Sequence, residues 1–194
     1  MTKIIGLTGG IGSGKTMIAN YIASLGIPVY IADDEARQLM ETKQVLKKII
    51  TAFGNEILDG NKLNRKKLSK IVFDNFTKLQ KLNSIVHPVV KKHFREWVLK
   101  HNNVPIVVKE AAILFESGSN KYCDAVIAVV APIEIRLQRI INRDKTDREF
   151  VLKKMQNQWN DEQRIAKSDY VVHNVTIEDT KRQIDELIMM LKNQ

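Results

Sequence analysis

The chain has 194 residues, of which 44% are hydrophobic and 27% charged, and its formal net charge is +9. This composition excludes wholesale disorder and fits one domain, with room for a small inserted lobe. The single cysteine, Cys123, excludes an internal disulfide framework and a cysteine-rich zinc site. We find no apolar run of membrane-spanning length and no signal peptide, so we expect a cytoplasmic protein.

The first predicted elements surround residues 9–16, whose letters GGIGSGKT fit the phosphate-binding P-loop pattern. Residues 3–8 predict a buried strand before the loop, and residues 17–25 predict a helix after it. The glycines let backbone N–H groups face a phosphate, and the helix adds the positive end of its dipole. Lys15 is suited to bridge the β- and γ-phosphates, and the Thr16 hydroxyl to ligate Mg²⁺. The pattern predicts an ATP-type site, but alone it does not separate a kinase from a GTPase or an ATP-driven switch.

Strands and helices alternate along the rest of the chain. Further strands are predicted at residues 28–32, 106–108, 125–130 and 170–172, with helices from 33, 132 and 177. The stretch from residue 45 to about 100 is predicted to be mostly helical, with turns at 53–55 and 58–61 and a helix restart or kink near His87 and Pro88. This alternation predicts an α/β fold with a five-stranded parallel sheet and helices on both faces.

Two acidic residues follow predicted strands. Ligands of parallel sheets bind at the carboxyl ends of the strands, so we expect the P-loop, Asp33 and Glu110 to meet at one edge. Each acid also has a structural interpretation. Asp33 would serve equally as the N-cap of the next helix, and Glu110 as a polar strand terminus.

The basic excess lies in one segment. Residues 43–100 carry 14 Lys or Arg and 4 Asp or Glu side chains, a net charge of +10. Nucleic-acid binding, recruitment of a small polyphosphate substrate and a solvated helical face each explain such a segment. The segment lacks interleaved aromatic residues and zinc-finger spacing, so we expect no nucleic-acid partner. The chain also lacks the Asn-Lys-x-Asp segment with which a GTPase reads guanine.

Several motifs together resemble the dephospho-coenzyme A kinase family. They are collinear over nearly the whole chain and comprise residues 7–16, Ala32-Asp33 with Ala36-Arg37, 82–88 (LNSIVHP), 113–116 (ILFE), Arg139 with Arg143-Asp144, Gln158 and 169–174 (DYVVHN). The resemblance implies transfer of the γ-phosphate of ATP to the ribose 3′-hydroxyl of dephospho-coenzyme A, the last step of coenzyme A biosynthesis. It also implies three parts: a P-loop kinase core over about 1–42, 104–141 and 160–194, a helical acceptor-binding lobe over about 43–103 and a lid over about 142–159.

The resemblance carries site roles onto individual positions. The implied catalytic residues are the general base Asp33 together with Lys15 and Arg143, and Thr16 is the Mg²⁺ ligand. The implied ATP-binding residues are Gly9, Gly10, Ile11, Gly12, Ser13, Gly14, Lys15, Thr16, Met17, Arg139, Arg143 and Asn174. The implied acceptor-binding residues are Asp33, Arg37, His87, Glu110, Leu114 and Glu116. The partners are then ATP and dephospho-coenzyme A, without a membrane partner, and the chain acts as a monomer or weak homo-oligomer.

Some positions depart from the family pattern or keep a second interpretation. Ile31 replaces an acid, and Glu110-Ala111-Ala112 replaces Asp-x-Pro, which leaves acceptor positioning near Ala112 open. Structural alternatives remain for Arg139 as a surface charge, for His87 as a helix cap and for Glu116 as a residue that orders the acceptor lobe. Two rival functions also remain: a P-loop kinase for another small molecule, and a nucleotide-dependent switch or nucleic-acid regulator.

Overall fold

The computed structural model describes residues 2–73, 75–156 and 158–193. The chain divides into two compact units. The core unit comprises Met1–Ile31 and His101–Gln194, and the helical unit comprises Ala32–Lys100. The predicted core extended to about residue 42, whereas the helix that begins at Ala32 groups with the helical unit. Among the described residues, no helix combines the length and hydropathy that a membrane crossing requires.

The described strands and helices follow one another closely along the chain. In order they are β1 (Lys3–Gly9), α1 (Lys15–Ser24), β2 (Val29–Ile31), α2 (Ala32–Met40), α3 (Lys43–Phe53), β3 (Leu58–Asp59), β4 (Lys62–Leu63), α4 (Arg65–Phe73), α5 (Phe76–Lys100), β5 (Ile106–Glu110), β6 (Ala125–Val130), α6 (Ile133–Asp144), α7 (Arg148–Gln156), α8 (Asp161–Ile165), β7 (Tyr170–His173) and α9 (Ile177–Asn193).

Within the described part of the core unit, β2, β5, β1, β6 and β7 form one parallel sheet in that spatial order. The central strands are almost continuously buried and mainly apolar, as expected for a sheet that is covered on both faces, and the charged residues Lys109 and Glu110 end β5. The predicted five-stranded parallel sheet is confirmed. Because all five strands run the same way, the carboxyl ends of β1, β5 and β2 lie side by side at one edge.

Alternation along β1 assigns side chains to the two faces of the sheet. Ile5 and Leu7 are fully buried in a cluster with residues of α1 and α9, such as Ile22 and Ile188. Gly6 faces the other side, where a Cβ would lie 2.7 Å from the Leu114 side chain. The segment that follows β5 therefore packs closely on this second face.

The helical unit has its own apolar core. The long helix α5 packs against α2, α3 and α4. The buried members of this core are Val45, Ile49, Phe53, Ile57, Leu63, Leu68 and Val72. A small hairpin of β3 and β4 turns at Gly60, which has a φ of 59°. The sequence predicted the turn, but two-residue strands are too short to give a hydrophobic pattern.

Of the predicted restart or kink near His87, the restart is wrong, and the kink stays a prediction. Helix α5 continues through Pro88 without a break. A proline removes one backbone donor and crowds the preceding turn, but it does not end a helix that packing holds on both sides. Val86 and Phe94 provide that packing as buried residues before and after the proline.

The predicted lid contains a helix of its own. Helix α7 lies in the middle of that range, and its Val151 is buried with Leu137 and Ile140 of α6. Ile11 of the P-loop packs against the same cluster. Position 157 of the predicted lid lies outside the described residues.

Candidate active site

The P-loop has the conformation that its glycines predict. It leaves β1 at Gly9 and enters α1 at Lys15, with left-handed φ values of 79° at Gly12 and 94° at Gly14. A Cβ at Gly14 would lie 2.0 Å from Nδ2 of Asn174, so no larger residue fits there.

Side chains from other elements bind the carbonyl groups of this loop. Nδ2 of Asn174 donates to the Ser13 carbonyl at 2.7 Å, and the Thr180 hydroxyl donates to Oδ1 of Asn174 at 3.0 Å. Nε of Arg136 donates to the Ile11 carbonyl at 2.9 Å. The bonds from Asn174 and Arg136 each satisfy a carbonyl on the loop, and the bond from Thr180 fixes the Asn174 amide. A loop of this type binds phosphate with its N–H groups.

The two reactive side chains of the loop lie at the start of α1. Nζ of Lys15 donates to the Gly9 carbonyl at 2.8 Å and the Gly10 carbonyl at 3.4 Å. Thr16 is exposed in the first turn of the helix. Within the described ranges, no group of three or more His, Cys, Asp or Glu side chains is arranged to hold a metal ion. A hydroxyl such as that of Thr16 suits Mg²⁺, which prefers oxygen ligands and keeps phosphate and water oxygens as the others.

The two arginines predicted for ATP binding have different surroundings. Nη2 of Arg139 donates to the Val175 carbonyl at 3.4 Å. Nη1 of Arg139 is buried without a hydrogen-bond partner among the described residues, and it lies 3.7 Å from an ideal Cβ built on Gly14. Arg143 is mostly exposed and binds Asp144 at 2.6 Å. This contact raises the pKa of Arg143 and lowers the pKa of Asp144.

Glu110 lies at the sheet edge where the sequence placed it. It ends β5, in register with Leu7 of β1 and Ile31 of β2, and it is only 4% exposed. The chain leaves β2 at this same edge and enters α2 directly. A buried acid therefore lies beside the ends of the strands that lead to the P-loop and to Asp33.

Three predicted residues belong to the helical unit. Asp33 is the second residue of α2 and is exposed, so it is not the N-cap of that helix. Its structural alternative is a favourable interaction with the helix dipole. Arg37 is exposed on α2 and pairs with Asp34 at 2.7 Å, and His87 is exposed on α5.

Two predicted acceptor residues have structural contacts. The Leu114 side chain is fully buried against Gly6, so it belongs to the core and does not present a surface to a ligand. The assignment of Leu114 to acceptor binding stays a prediction, and the turn after β5 directs its side chain into the sheet. Glu116 binds Nη2 of Arg164 and the Trp159 amide, each at 3.3 Å.

The sequence reasoning missed a charge network behind the P-loop. Arg136 binds Asp161 at 2.9 Å, Asp161 lies 3.6 Å from Arg164, and Arg164 binds Glu116. Arg164 is fully buried, and burial lowers its pKa while Glu116 and Asp161 oppose that shift. The sequence does carry a signal for the burial of Arg136, because this residue lies on the apolar face of α6, four residues before Ile140.

The chain matches a family model described as dephospho-CoA kinase over residues 3–179. A dephospho-CoA kinase from Fusobacterium nucleatum subsp. nucleatum is 44% identical over 184 residues, which is 94% of this chain and 95% of that protein. A dephospho-CoA kinase from Bacteroides fragilis (strain YCH46) is 36% identical over 188 residues, with coverages of 96% and 92%.

Solved structures agree with these matches. The structure of TT1252 from Thermus thermophilus superimposes with a TM-score of 0.89 at 28% identity and 97% coverage of both chains. A dephospho-CoA kinase from Campylobacter jejuni gives a TM-score of 0.73 at 26% identity, with coverages of 100% and 98%. A shikimate kinase from Acinetobacter baumannii, with a TM-score of 0.53 at 16% identity, is similar in fold alone.

Proposed function

The chain belongs to the dephospho-CoA kinase family, and we infer from this membership that it phosphorylates dephospho-CoA with ATP in coenzyme A biosynthesis. The acceptor in this proposal is the ribose 3′-hydroxyl. The observation that supports it most directly is the P-loop, whose Ile11 and Ser13 carbonyls are bound from behind by Arg136 and Asn174. Such a loop supports the binding of a triphosphate, because two of its carbonyls already have donors and its glycines let N–H groups face a phosphate.

The proposed reaction depends mainly on positioning and on stabilisation of charge. Lys15, which now contacts the Gly9 and Gly10 carbonyls, turns to the β- and γ-phosphates when ATP binds. Thr16 would hold Mg²⁺, which when bound neutralises phosphate charge and orients the triphosphate. Arg139 has a buried donor beside the end of the P-loop, and this supports a direct contact with the nucleotide.

Asp33 is the proposed general base. It follows Ile31 by two residues along the chain, and β2, which Ile31 ends, runs parallel to β5 and β1. The Asp33 side chain is exposed. An exposed carboxylate at this point of the chain is available to accept the proton of the acceptor hydroxyl. Glu110, buried at the same edge, is the next candidate.

The helical unit is the proposed acceptor-binding part. Residues 43–100 within it carry the basic excess of the whole chain, and the acceptor contains a diphosphate. Arg37 and His87, both exposed on this unit, are its proposed contact residues. Glu116 acts in this proposal indirectly, by ordering Arg164 and Trp159.

Helix α7 is the proposed lid. It extends from the end of α6, where Arg143 is exposed, and its buried residue Val151 joins it to α6 and Ile11. Closure of α7 would bring Arg143 from Asp144 to the transferring phosphate and exclude water.

We also propose that the reaction takes place in the cytoplasm, where a single free thiol stays reduced.

A coupled ADP-release assay tests the proposed function. The purified chain receives ATP, Mg²⁺ and one acceptor at a time: dephospho-CoA, adenosine, AMP or shikimate. We expect turnover with dephospho-CoA and formation of one CoA per ADP. A parallel Lys15→Ala preparation controls for contaminating kinases. Turnover with AMP or shikimate and none with dephospho-CoA would contradict the proposal.

A further inference from the structure

Arg136 occupies an unusual place beneath the P-loop. Its side chain is only 9% exposed, and its Nε donates to the Ile11 carbonyl at 2.9 Å. A Cβ built on Gly10 would lie 2.2 Å from Nη2 of Arg136. A Cβ built on Gly12 would lie 2.7 Å from the backbone carbonyl oxygen of Arg136. The guanidinium and the start of α6 therefore contact the loop over Gly10, Ile11 and Gly12.

Both backbone polar groups of Ile11, its carbonyl and its amide, are hydrogen-bonded to side chains from other parts of the core unit. While Arg136 binds its carbonyl, the Ile11 amide donates to Oε1 of Gln158 at 2.9 Å. Asp161, three residues after Gln158, accepts from Nη1 of Arg136 at 2.9 Å. The segment that follows α7 thus contacts the loop once directly and once through Arg136.

This arrangement favours anion binding for two physical reasons. A loop that binds phosphate through N–H groups must direct its carbonyls elsewhere, and a buried carbonyl needs a donor there. A guanidinium also carries several N–H donors in a fixed geometry, so one side chain binds the Ile11 carbonyl and Asp161 at the same time. Asp161 fixes the guanidinium through a charge-assisted hydrogen bond.

We propose that Arg136 is a positioning residue of the nucleotide site, which holds the Ile11 carbonyl away from the bound phosphates and is itself held by Asp161. It acts through the P-loop and does not touch substrate. Only the measurement of KM values rests on the proposed function. The binding of MgADP is measured without an acceptor and does not depend on it.

The test compares Arg136→Gln with the wild type by calorimetric titration of MgADP and by steady-state kinetics. We expect the Kd for MgADP to rise about tenfold or more, because one charge-assisted hydrogen bond to the loop is lost. The KM for ATP rises with it, whereas the KM for dephospho-CoA stays within about twofold. Arg182→Gln is the matched control, since it removes an exposed arginine that pairs with Asp179 on α9.

Two milder variants keep the test decisive if Arg136→Gln does not fold. Arg136→Lys retains the charge but loses the forked geometry, so we expect an intermediate loss of MgADP affinity. Asp161→Asn retains an acceptor oxygen but loses the charge, so we expect a smaller loss in the same direction.

Two results would overturn the proposal. One is an unchanged Kd for MgADP in the folded variants, with a lower melting temperature alone. The other is an equal rise in KM for ATP and for dephospho-CoA, which would indicate a general loss of structure. A wild-type chain that binds MgADP but does not phosphorylate dephospho-CoA would refute the proposed function and leave this binding test intact.

Discussion

At the scale of single residues, Lys15 carries the charge on which the proposed nucleotide chemistry depends most directly. Lys15→Ala removes the cation that follows the γ-phosphate, so we expect kcat to fall on the order of 10²-fold or more. The melting temperature should change little, because this side chain is only partly buried and donates to loop carbonyls. ADP release measures the loss, with Lys192→Ala, an exposed lysine at the end of α9, as the control. Near-normal turnover would contradict the role of the loop.

A substitution at Asp33 distinguishes a catalytic role of this residue from a structural one. Asp33→Asn keeps the shape but loses the proton acceptor, and we expect kcat to fall about 10²- to 10⁴-fold with ATP binding unchanged. If Asp33 served only the dipole of α2, the change would cost at most about 1 kcal/mol of stability and leave turnover intact. Glu178→Gln is the matched control, because Glu178 is also the exposed second residue of a helix.

The outcome for Asp33 bears on Glu110 as well. Wild-type turnover in Asp33→Asn would transfer the role of the base to Glu110, which is buried at the same sheet edge. The sequence departs from the family pattern at Glu110 and Ala112, so this second result would be specific to the present chain.

At the scale of elements, the uninterrupted helix α5 makes a prediction about Pro88. The proline lies inside the helix and is exposed, so it removes a backbone donor without adding buried contacts. We expect Pro88→Ala to raise the free energy of unfolding by about 1 kcal/mol or more, as measured by urea denaturation. Pro132→Ala is the control, since Pro132 precedes the first residue of α6, where a proline is well tolerated. A loss of stability in Pro88→Ala would show that the helix depends on the proline.

At the scale of the whole molecule, the uneven charge predicts different salt responses for the two substrates. Residues 43–100 carry a net charge of +10, whereas the P-loop binds phosphate mainly with backbone groups. Raising the ionic strength from about 0.05 to 0.5 M shortens the Debye length severalfold and screens exposed charges most. We therefore expect KM for dephospho-CoA to rise more than KM for ATP, in initial-rate measurements at fixed pH.

The control for this prediction is a change of salt identity at constant ionic strength, which distinguishes screening from specific ion binding. Equal sensitivity of the two KM values would mean that the basic charge of residues 43–100 serves only as a solvated surface. Fold and membership of the family do not depend on that outcome, because they rest on the sheet and on the matches along the chain.

Features of this protein that depend on local chemistry were predictable from its amino-acid order alone. The P-loop was predictable because its glycines and Lys15 act within a few residues of one another. The positions of the five strands of the described sheet were predictable because each is a short apolar run bounded by turns or helices. The family was identified from motifs that keep their order along the chain, and the comparisons confirm it.

Contacts between residues that are distant in sequence became visible in the folded structure alone. Arg136 bonds to Ile11 across 125 positions, and Asn174 bonds to Ser13 across 161, so no local pattern could pair them. The burial of Leu114 was not predictable, because it depends on the space that Gly6 leaves in another strand. The alternative of a helix restart near His87 was wrong, since packing with other helices outweighs the local preference of a proline. Local preferences amount to at most a few kcal/mol, whereas burial and long-range hydrogen bonds fix which residues meet.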